Sequence, residues 1–170
     1  MKTIAFSGSN SSKSINQQLV TYAATLIENS KVLNLTSYNI PVYNIDIEEN
    51  EGIPNDVKKL ADILVEVDNL IISVSEHNGN ISAFFKNILD WLSRNNRNFL
   101  ESKKIVILST SPGKSGGNSA LKITEKTIPY FKGNVVATLS IGSFYDNFKE
   151  AKIINDEINE KLKEVILKLK

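Results

Sequence analysis

Short apolar segments alternate with longer amphipathic ones along most of the chain, and this alternation limits the folds that it can adopt. Five segments are rich in Ile, Val and Leu with little polar alternation, and we predict strands there: residues 3–6, 32–35, 70–74, 105–108 and 135–139. Apolar strands of this kind are typical of a parallel sheet that is covered on both faces.

The segments between the predicted strands have helical periodicity. Apolar residues recur every three to four positions in residues 15–26, 84–92 and 154–169, and Pro54 predicts the start of a further helix that reaches about residue 67. Strand and helix in alternation predict a doubly wound α/β fold with helices on both faces of the sheet. A length of 170 residues predicts a single domain, residues 1–170. The acidic run of Glu48, Glu49 and Glu51 lies in the least regular region, and we interpret it as a solvated loop.

Composition excludes several classes of function. The chain has no cysteine and one histidine, which excludes disulfides, a thiolate nucleophile and an iron–sulfur cluster, and predicts no metal site. A net charge of +1 predicts no binding to nucleic acid or to an anionic membrane. Neither a signal peptide nor an apolar run of about 20 residues is present, so we expect a soluble cytoplasmic protein.

Three loops that follow predicted strands are unusual, and ligands of open parallel sheets bind at those strand ends. The first, GSNSSKS at residues 8–14, precedes a helix and predicts an anion site made of backbone amides and serine hydroxyls. The second begins SEHNGN at residue 75 and holds the tight-turn pair Asn78–Gly79 beside His77. The third, residues 109–121, holds three glycines, which indicate a close approach of the backbone to another group. Taken alone, each segment has another explanation: N-capping with loop flexibility for the first, a surface histidine without a role for the second, and a mobile surface loop for the third.

Together these segments resemble the NADPH-dependent FMN reductases of the flavodoxin-like superfamily, over about residues 2–140. The opening GSNSSKSIN, the central SEHNGNISAFFKNILDWLSR and the loop SPGKSGG carry the resemblance. The central motif is the most specific, because the family shows a Glu-aromatic-Asn-Gly turn followed by Leu/Phe-Lys-Asn-x-x-Asp-Trp-x-Ser. The segment IPVYNID, residues 40–46, is similar to the loop after the second strand of the family.

The resemblance implies a flavodoxin-like three-layer sandwich with a five-stranded parallel sheet of order 2-1-3-4-5. It also implies non-covalent FMN, with NADPH or NADH as electron donor and a small-molecule acceptor such as a flavin, a quinone or an azo compound. Carried over by position, the residues expected to bind FMN are Ser9, Asn10, Ser11, Ser14, Ile15, Asn16, Glu76, His77, Asn78, Gly79, Ser109, Pro112, Gly113 and Gly117. A homodimer or homotetramer is expected by the same analogy.

The sequence departs from the family pattern at three positions. Many members have arginine where Ser11 stands, tyrosine where His77 stands, and arginine where Ser115 stands; Lys13 and Lys114 lie next to two of these positions. No catalytic residue is assigned, although His77 is a candidate proton donor. Two other functions stay open at this point: an FMN-dependent electron carrier with no direct NAD(P)H reaction, and an interaction module that has lost its cofactor.

Overall fold

Five parallel strands form the central sheet, and two short hairpins lie outside it. The computed structural model describes residues 1–170. The strands are β1 (Thr3–Ser7), β2 (Ser30–Leu33), β3 (Asn69–Val74), β4 (Glu76–His77), β5 (Asn80–Ile81), β6 (Lys104–Thr110), β7 (Asn134–Ile141), β8 (Phe148–Lys149) and β9 (Lys152–Ile153). The order in the sheet is β2-β1-β3-β6-β7, with every pair parallel. Without the β4–β5 and β8–β9 hairpins this is the predicted order 2-1-3-4-5, so the flavodoxin-like fold is confirmed.

Seven α-helices connect these strands. They are α1 (Ile15–Ala24), α2 (Ile45–Glu51), α3 (Asn55–Val65), α4 (Ala83–Asn95), α5 (Asn118–Thr127), α6 (Phe144–Asn147) and α7 (Asp156–Leu167). Short 3₁₀ turns occupy Leu35–Ser37 and Ile128–Phe131. None of the helices is both long and apolar enough to cross a membrane.

The sheet separates two hydrophobic cores, because successive side chains of a strand point to opposite faces. Ile4 and Phe6 of β1 belong to a core of 26 buried residues that α3, α4 and α5 cover. Ala5, between them, belongs to a core of 15 buried residues that α1 and α7 cover. The predicted three-layer arrangement therefore follows from strands that are apolar on both faces.

The acidic run does not lie in a solvated loop, and that interpretation was wrong. Residues 45–51 form α2, which begins after Asn44, whose side-chain oxygen accepts a hydrogen bond from the Asp46 amide at 2.8 Å. Glu48 contacts α4 through its carboxylate, which accepts hydrogen bonds from Arg94 Nε at 2.8 and 2.9 Å. The same carboxylate accepts a hydrogen bond from the Tyr43 hydroxyl at 2.8 Å. The Arg94 guanidinium lowers the pKa of Glu48 by this hydrogen bonding.

Two side chains of α4 fix the segment that precedes α2. The Trp91 indole and the Asn87 amide both donate to the carbonyl of Pro41, at 2.8 and 2.9 Å, and the backbone amide of Tyr43 donates to Asn87 Oδ1 at 2.7 Å. Trp91 is fully buried, so its only polar atom needs such a partner. The conformation of the segment 41–48 is therefore set by the helix that follows the β4–β5 hairpin.

Candidate functional site

The loop between β1 and α1 presents a row of free backbone amides. Its serines shape the loop: Ser9 Oγ accepts from the Ser11 amide at 3.3 Å, and Ser11 Oγ accepts from the Lys13 amide at 3.2 Å. Ser14 is the N-cap of α1, and its Oγ accepts from the Gln17 amide at 3.1 Å. Amides with no acceptor in the protein belong to Ser9, Asn10, Ser12, Ile15 and Asn16. Free amides at the positive end of a helix fit a phosphate group.

Asn16 fastens this loop to the sheet through its side chain. Its Oδ1 accepts from the Ser73 hydroxyl at 2.8 Å and from the Thr110 amide at 3.1 Å, and its Nδ2 donates to the Thr110 carbonyl at 3.1 Å. Asn16 is 3% exposed. Its side chain thus links α1 to β3 and β6, and only its backbone amide is free for a ligand.

The β4–β5 hairpin confirms the tight turn that the Asn-Gly pair predicts. Asn78 and Gly79 both have positive φ, 52° and 72°, as a two-residue turn of type I′ requires. The hairpin begins directly beyond β3, and its flanking serines join it to the first loop. The hydroxyls of Ser75 and Ser82 donate to the carbonyl of Gly8, at 3.2 and 2.6 Å. The first two loops are therefore joined to each other by two hydrogen bonds.

Glu76 stabilises a helix from the far side of the hairpin. Its Oε2 accepts hydrogen bonds from the backbone amides of Ser119 at 2.8 Å and Ala120 at 3.2 Å. These amides belong to the first turn of α5, whose own N-cap, Gly117, provides no side-chain cap. Glu76 therefore caps α5 through one carboxylate oxygen, and it also lines the cleft described below, so its place at the flavin stays a prediction.

The glycines of the third loop approach the chain itself. A Cβ on Gly116 would lie 2.8 Å from the carbonyl carbon of Ile141 and 2.9 Å from the amide of Gly142. The loop is further tied to the end of β7, because the Gly113 carbonyl accepts from the Ser143 amide at 2.9 Å. The close approach that the sequence indicates is thus mainly to the β7–α6 connection. Gly113 itself faces open space.

These loops surround a cleft of about 240 Å³ at the carboxyl ends of β1, β3 and β6. It is lined by Ser9, Ser11, Lys13, Ser14, Ile15, Asn16, Ser75, Glu76, His77, Thr110, Ser111, Pro112 and Tyr145. Eight of the fourteen residues expected at the FMN site are thereby brought together. Asn10, Asn78, Gly79 and Gly113 lie in the same loops outside the lining, and Gly117 lies at the start of α5.

Ser109 was expected at the FMN site, but it does not line the cleft. It is the penultimate residue of β6, with no exposed surface, and its hydroxyl has no hydrogen-bond partner. A Cβ on Gly117 would lie 3.4 Å from Ser109 Cβ, so the Ser109 side chain packs beneath the start of α5. That Ser109 lies near the edge of the flavin ring stays a prediction.

Five lining residues were not among those expected from the sequence: Lys13, Ser75, Thr110, Ser111 and Tyr145. Ser75 immediately follows β3, and Thr110 and Ser111 end and follow β6, so the position of the strand ends could have indicated them. Tyr145 lies in the segment after β7, and this segment lacks the glycine- or serine-rich pattern of the three loops that the sequence singles out. It is 64% exposed, and the amide of its neighbour Phe144 donates to the Ser111 carbonyl at 3.1 Å.

A parallel sheet of this order, with a loop of free backbone amides after β1 and a cleft at the strand ends, defines a flavodoxin-like protein. A model of the NADPH-dependent FMN reductase family matches residues 1–146. The chain therefore belongs to the NADPH-dependent FMN reductase family, and it is an FMN-dependent oxidoreductase that uses NAD(P)H.

The chain is also similar to individual relatives and solved structures over most of its length. The chain is 30% identical over 154 residues to an uncharacterized protein of Mycoplasma pneumoniae, covering 86% of this chain and 90% of that protein. It is 28% identical over 177 residues to the NADPH:quinone oxidoreductase of Arabidopsis thaliana, covering 99% and 90%. Among solved structures, the flavoenzyme NAD(P)H:(acceptor) oxidoreductase FerB of Paracoccus denitrificans shares the fold, with a TM-score of 0.79 at 21% identity over 98% of this chain and 93% of that one.

Proposed function

We propose that the cleft at the ends of β1, β3 and β6 holds FMN and that the protein reduces a small acceptor of the quinone type. The observation that carries the placement is the row of free amides in residues 9–16, of which those of Ser9, Ile15 and Asn16 belong to residues that line the cleft. The quinone is proposed because the Arabidopsis relative carries that substrate in its name.

The first loop binds the phosphate through the amides of Ser9, Asn10, Ser12, Ile15 and Asn16, and through hydroxyls that are not committed to the loop. Lys13 lines the same cleft and supplies a cation. The α1 dipole adds to this attraction, while the Asn16 side chain keeps the helix start fixed against β3 and β6. Because the donors are preorganised, binding of the phosphate needs little rearrangement of the chain.

The second and third loops border the flavin ring in this proposal. When bound, FMN accepts a hydride from NAD(P)H and passes electrons to the acceptor. The chain orients it: His77 and Pro112 line the cleft from two different loops, and the hairpin that carries His77 is held by the two hydroxyls that donate to the Gly8 carbonyl. His77 is exposed at this edge, where it can supply a proton to a reduced acceptor.

We also propose a cytoplasmic location, which fits the use of NAD(P)H, and assembly into a homodimer or homotetramer. Phe84 supports an interface on α4, since it is only partly buried whereas Phe85, the next residue, is 1% exposed. Val42, 81% exposed, lies on the segment that is fixed against the same helix. Gel filtration of the protein and of Phe84→Lys tests this proposal, and a wild-type monomer at micromolar concentration would contradict it.

Substitution of Ser14 tests the placement of the phosphate. Ser14→Asp keeps an N-cap that stabilises α1 but brings a carboxylate against the phosphate. Two unit charges about 4 Å apart at an effective dielectric of about 20 repel by roughly 4 kcal/mol, so FMN affinity should fall by orders of magnitude. Ser14→Asn is the matched control, because asparagine caps equally well without charge.

The binding constants are measured by titrating flavin-free protein with FMN and following flavin fluorescence. We expect Ser14→Asn to bind much more tightly than Ser14→Asp, with both variants folded by circular dichroism. Equal affinity of the two variants would place the phosphate elsewhere. Mixing the FMN-loaded protein with NADPH in a stopped-flow instrument then measures bleaching of the flavin absorption, and reoxidation by a benzoquinone tests the acceptor.

A further inference from the structure

A second groove begins at the same loop and runs along the exposed face of α1. Its volume is about 390 Å³, within the range of roughly 300–1,000 Å³ that is usual for sites of small organic ligands. Ser9, Ser11, Lys13 and Ser14 line both this groove and the FMN cleft. The two spaces are therefore adjacent across the loop that we assign to the phosphate.

The walls of the groove are polar and almost free of charge. Gln17, Gln18 and Thr21 line it from α1, and Asn34 and Thr36 line it from the segment after β2. Lys13 is the one charged side chain in the lining, and no carboxylate faces the groove. Hydroxyl and amide side chains of this kind can donate to and accept from the hydroxyls of a ribose and the edge of a base.

Two aromatic residues contribute to the lining, although Phe148 is only 8% exposed. Phe148, from the β8–β9 hairpin, lines the groove together with Tyr22 of α1, and the two rings are 6.2 Å apart at an interplanar angle of 84°. The Tyr22 hydroxyl is held by Asn159 Oδ1 at 2.7 Å, which fixes the ring. A rigid apolar surface beside amide groups suits a purine base.

From this geometry we infer that the groove accepts the adenylate half of FAD, so that the protein binds FAD as well as FMN. The inference rests on the proposed placement of the FMN phosphate at residues 9–16. In FAD that phosphate is joined to adenosine monophosphate, and the second nucleotide half must leave the phosphate in some direction. The groove provides a polar path from the shared loop, with Lys13 beside the added phosphate and no acidic group to repel it.

Calorimetric titration of flavin-free protein with FMN and with FAD tests the inference. Thr21→Trp and Thr36→Trp fill the groove from opposite walls at exposed positions, and neither residue lines the FMN cleft. Glu125→Trp, exposed on α5 on the other side of the sheet, is the control of equal bulk. We expect the wild type to bind FAD with a Kd within about tenfold of that for FMN, and the groove variants to weaken FAD by roughly tenfold or more while FMN changes by less than about twofold.

A wild-type Kd for FAD more than about tenfold above that for FMN would overturn the inference. The same holds if Thr21→Trp and Thr36→Trp bind FAD as the Glu125→Trp control does. NADPH also contains an adenylate, which could occupy the groove in place of that of FAD. A raised KM for NADPH in the FMN-loaded groove variants, with FAD affinity unchanged, would assign the groove to NADPH and would also overturn the inference. Failure of FMN itself to bind would be a different result, because it would remove the proposed cofactor site together with the groove's role.

Discussion

Glu76 Oε2 accepts a hydrogen bond of 2.8 Å from the backbone amide of Ser119, although the two residues are 43 positions apart in the chain. The bond joins the hairpin beyond β3 to the first turn of α5, which follows β6. It also fills the capping position that Gly117 leaves without a side chain. Two loops of the candidate site are therefore held in register by one carboxylate.

Removal of this carboxylate should destabilise the protein without emptying its core. We expect Glu76→Ala to lower the free energy of unfolding by about 1 kcal/mol, the usual cost of losing a helix N-cap. Glu76→Gln should cost less, because its amide oxygen still accepts the two hydrogen bonds but lacks the charge that favours the helix N-terminus. Urea denaturation followed by circular dichroism measures both. Equal stability of Glu76→Ala and the wild type would mean that water caps α5 as well as Glu76 does.

Gly8 should not tolerate a side chain, because the ring of Phe85 lies against it. A Cβ on Gly8 would be 2.7 Å from Phe85 Cγ, and Phe85 is 1% exposed, so neither group can move freely. We expect Gly8→Ala to lower the free energy of unfolding by about 2 kcal/mol through overpacking. Gly113→Ala is the control, since its Cβ would meet only Ser111 Oγ at 4.0 Å and should change stability by less than about 1 kcal/mol.

A double mutant decides whether the ring is the cause. In the presence of Phe85→Ala, the cost of Gly8→Ala should shrink, because alanine lacks the Cγ and Cδ1 atoms that would lie 2.7 and 3.1 Å from the added methyl group. An undiminished cost in that background would mean that the backbone at Gly8, and not Phe85, rejects alanine.

The architecture could be predicted from the sequence because each strand of the sheet is a separate apolar run. Three helices were missed, namely α2, α5 and the four-residue α6, and both α2 and α5 lack an extended apolar pattern. The buried face of α5 consists of Ala120, Leu121 and Thr124, and α2 has no buried residue at all. In both cases helix formation depends on tertiary contacts, namely the Glu76 cap and the Glu48–Arg94 ion pair, which a local pattern cannot reveal.

The sequence could predict which loops form the candidate site, but it could not predict the role of each side chain in them. Ser9, Ser11 and Ser14 lie where the pattern places them, but their hydroxyls partly serve the turns and the cap of the first loop. Asn16 and Glu76 are polar residues beside the cleft whose side chains are used to hold the loops together. Such roles depend on which partner lies across the sheet, and spacing along the chain does not contain that information.

The ion pair between Glu48 and Arg94 should make stability depend on pH in the acid range. Hydrogen bonding to the Arg94 guanidinium lowers the pKa of Glu48 in the folded protein. The pair therefore stabilises the fold fully above the pKa of an unfolded glutamate, about 4.3, and loses this contribution as the pH falls through the lower folded pKa.

Urea midpoints of the wild type and of Glu48→Gln between neutral and acid pH measure this dependence. We expect the wild type to be the more stable at neutral pH, and the gap to close as the pH falls below the pKa of the unfolded carboxyl. Glu49→Gln is the control, because its carboxylate makes no ion pair. A gap of constant size down to acid pH would show that Glu48 acts through packing and not through its charge.

The β8–β9 hairpin should gain stability from glycine at its turn. Glu150 and Ala151 form its two-residue turn with φ of 49° and 60°, a conformation that costs an L-residue other than glycine roughly 1–2 kcal/mol. We expect Ala151→Gly to raise the free energy of unfolding by about 1 kcal/mol, less than the full strain because glycine also gains freedom in the unfolded chain. Ala83→Gly, at the start of α4, should act in the opposite direction. Loss of stability in Ala151→Gly as well would contradict strain at this turn.

Replacement of His77 tests whether it supplies a proton during acceptor reduction. The imidazole is exposed on the β4–β5 hairpin and lines the cleft, and it does not belong to the hydrophobic core. In the proposed site it can therefore reach an acceptor that lies over the flavin ring. His77→Phe keeps a ring at this position and His77→Gln keeps a hydrogen-bonding group, but neither donates a proton near neutral pH. If proton donation is its role, both variants should slow quinone reduction by roughly tenfold or more while FMN affinity and the rate of bleaching by NADPH stay close to the wild type. If only His77→Gln is slow, the ring contributes by packing, and unchanged turnover in both variants with every acceptor tried would remove His77 from the mechanism.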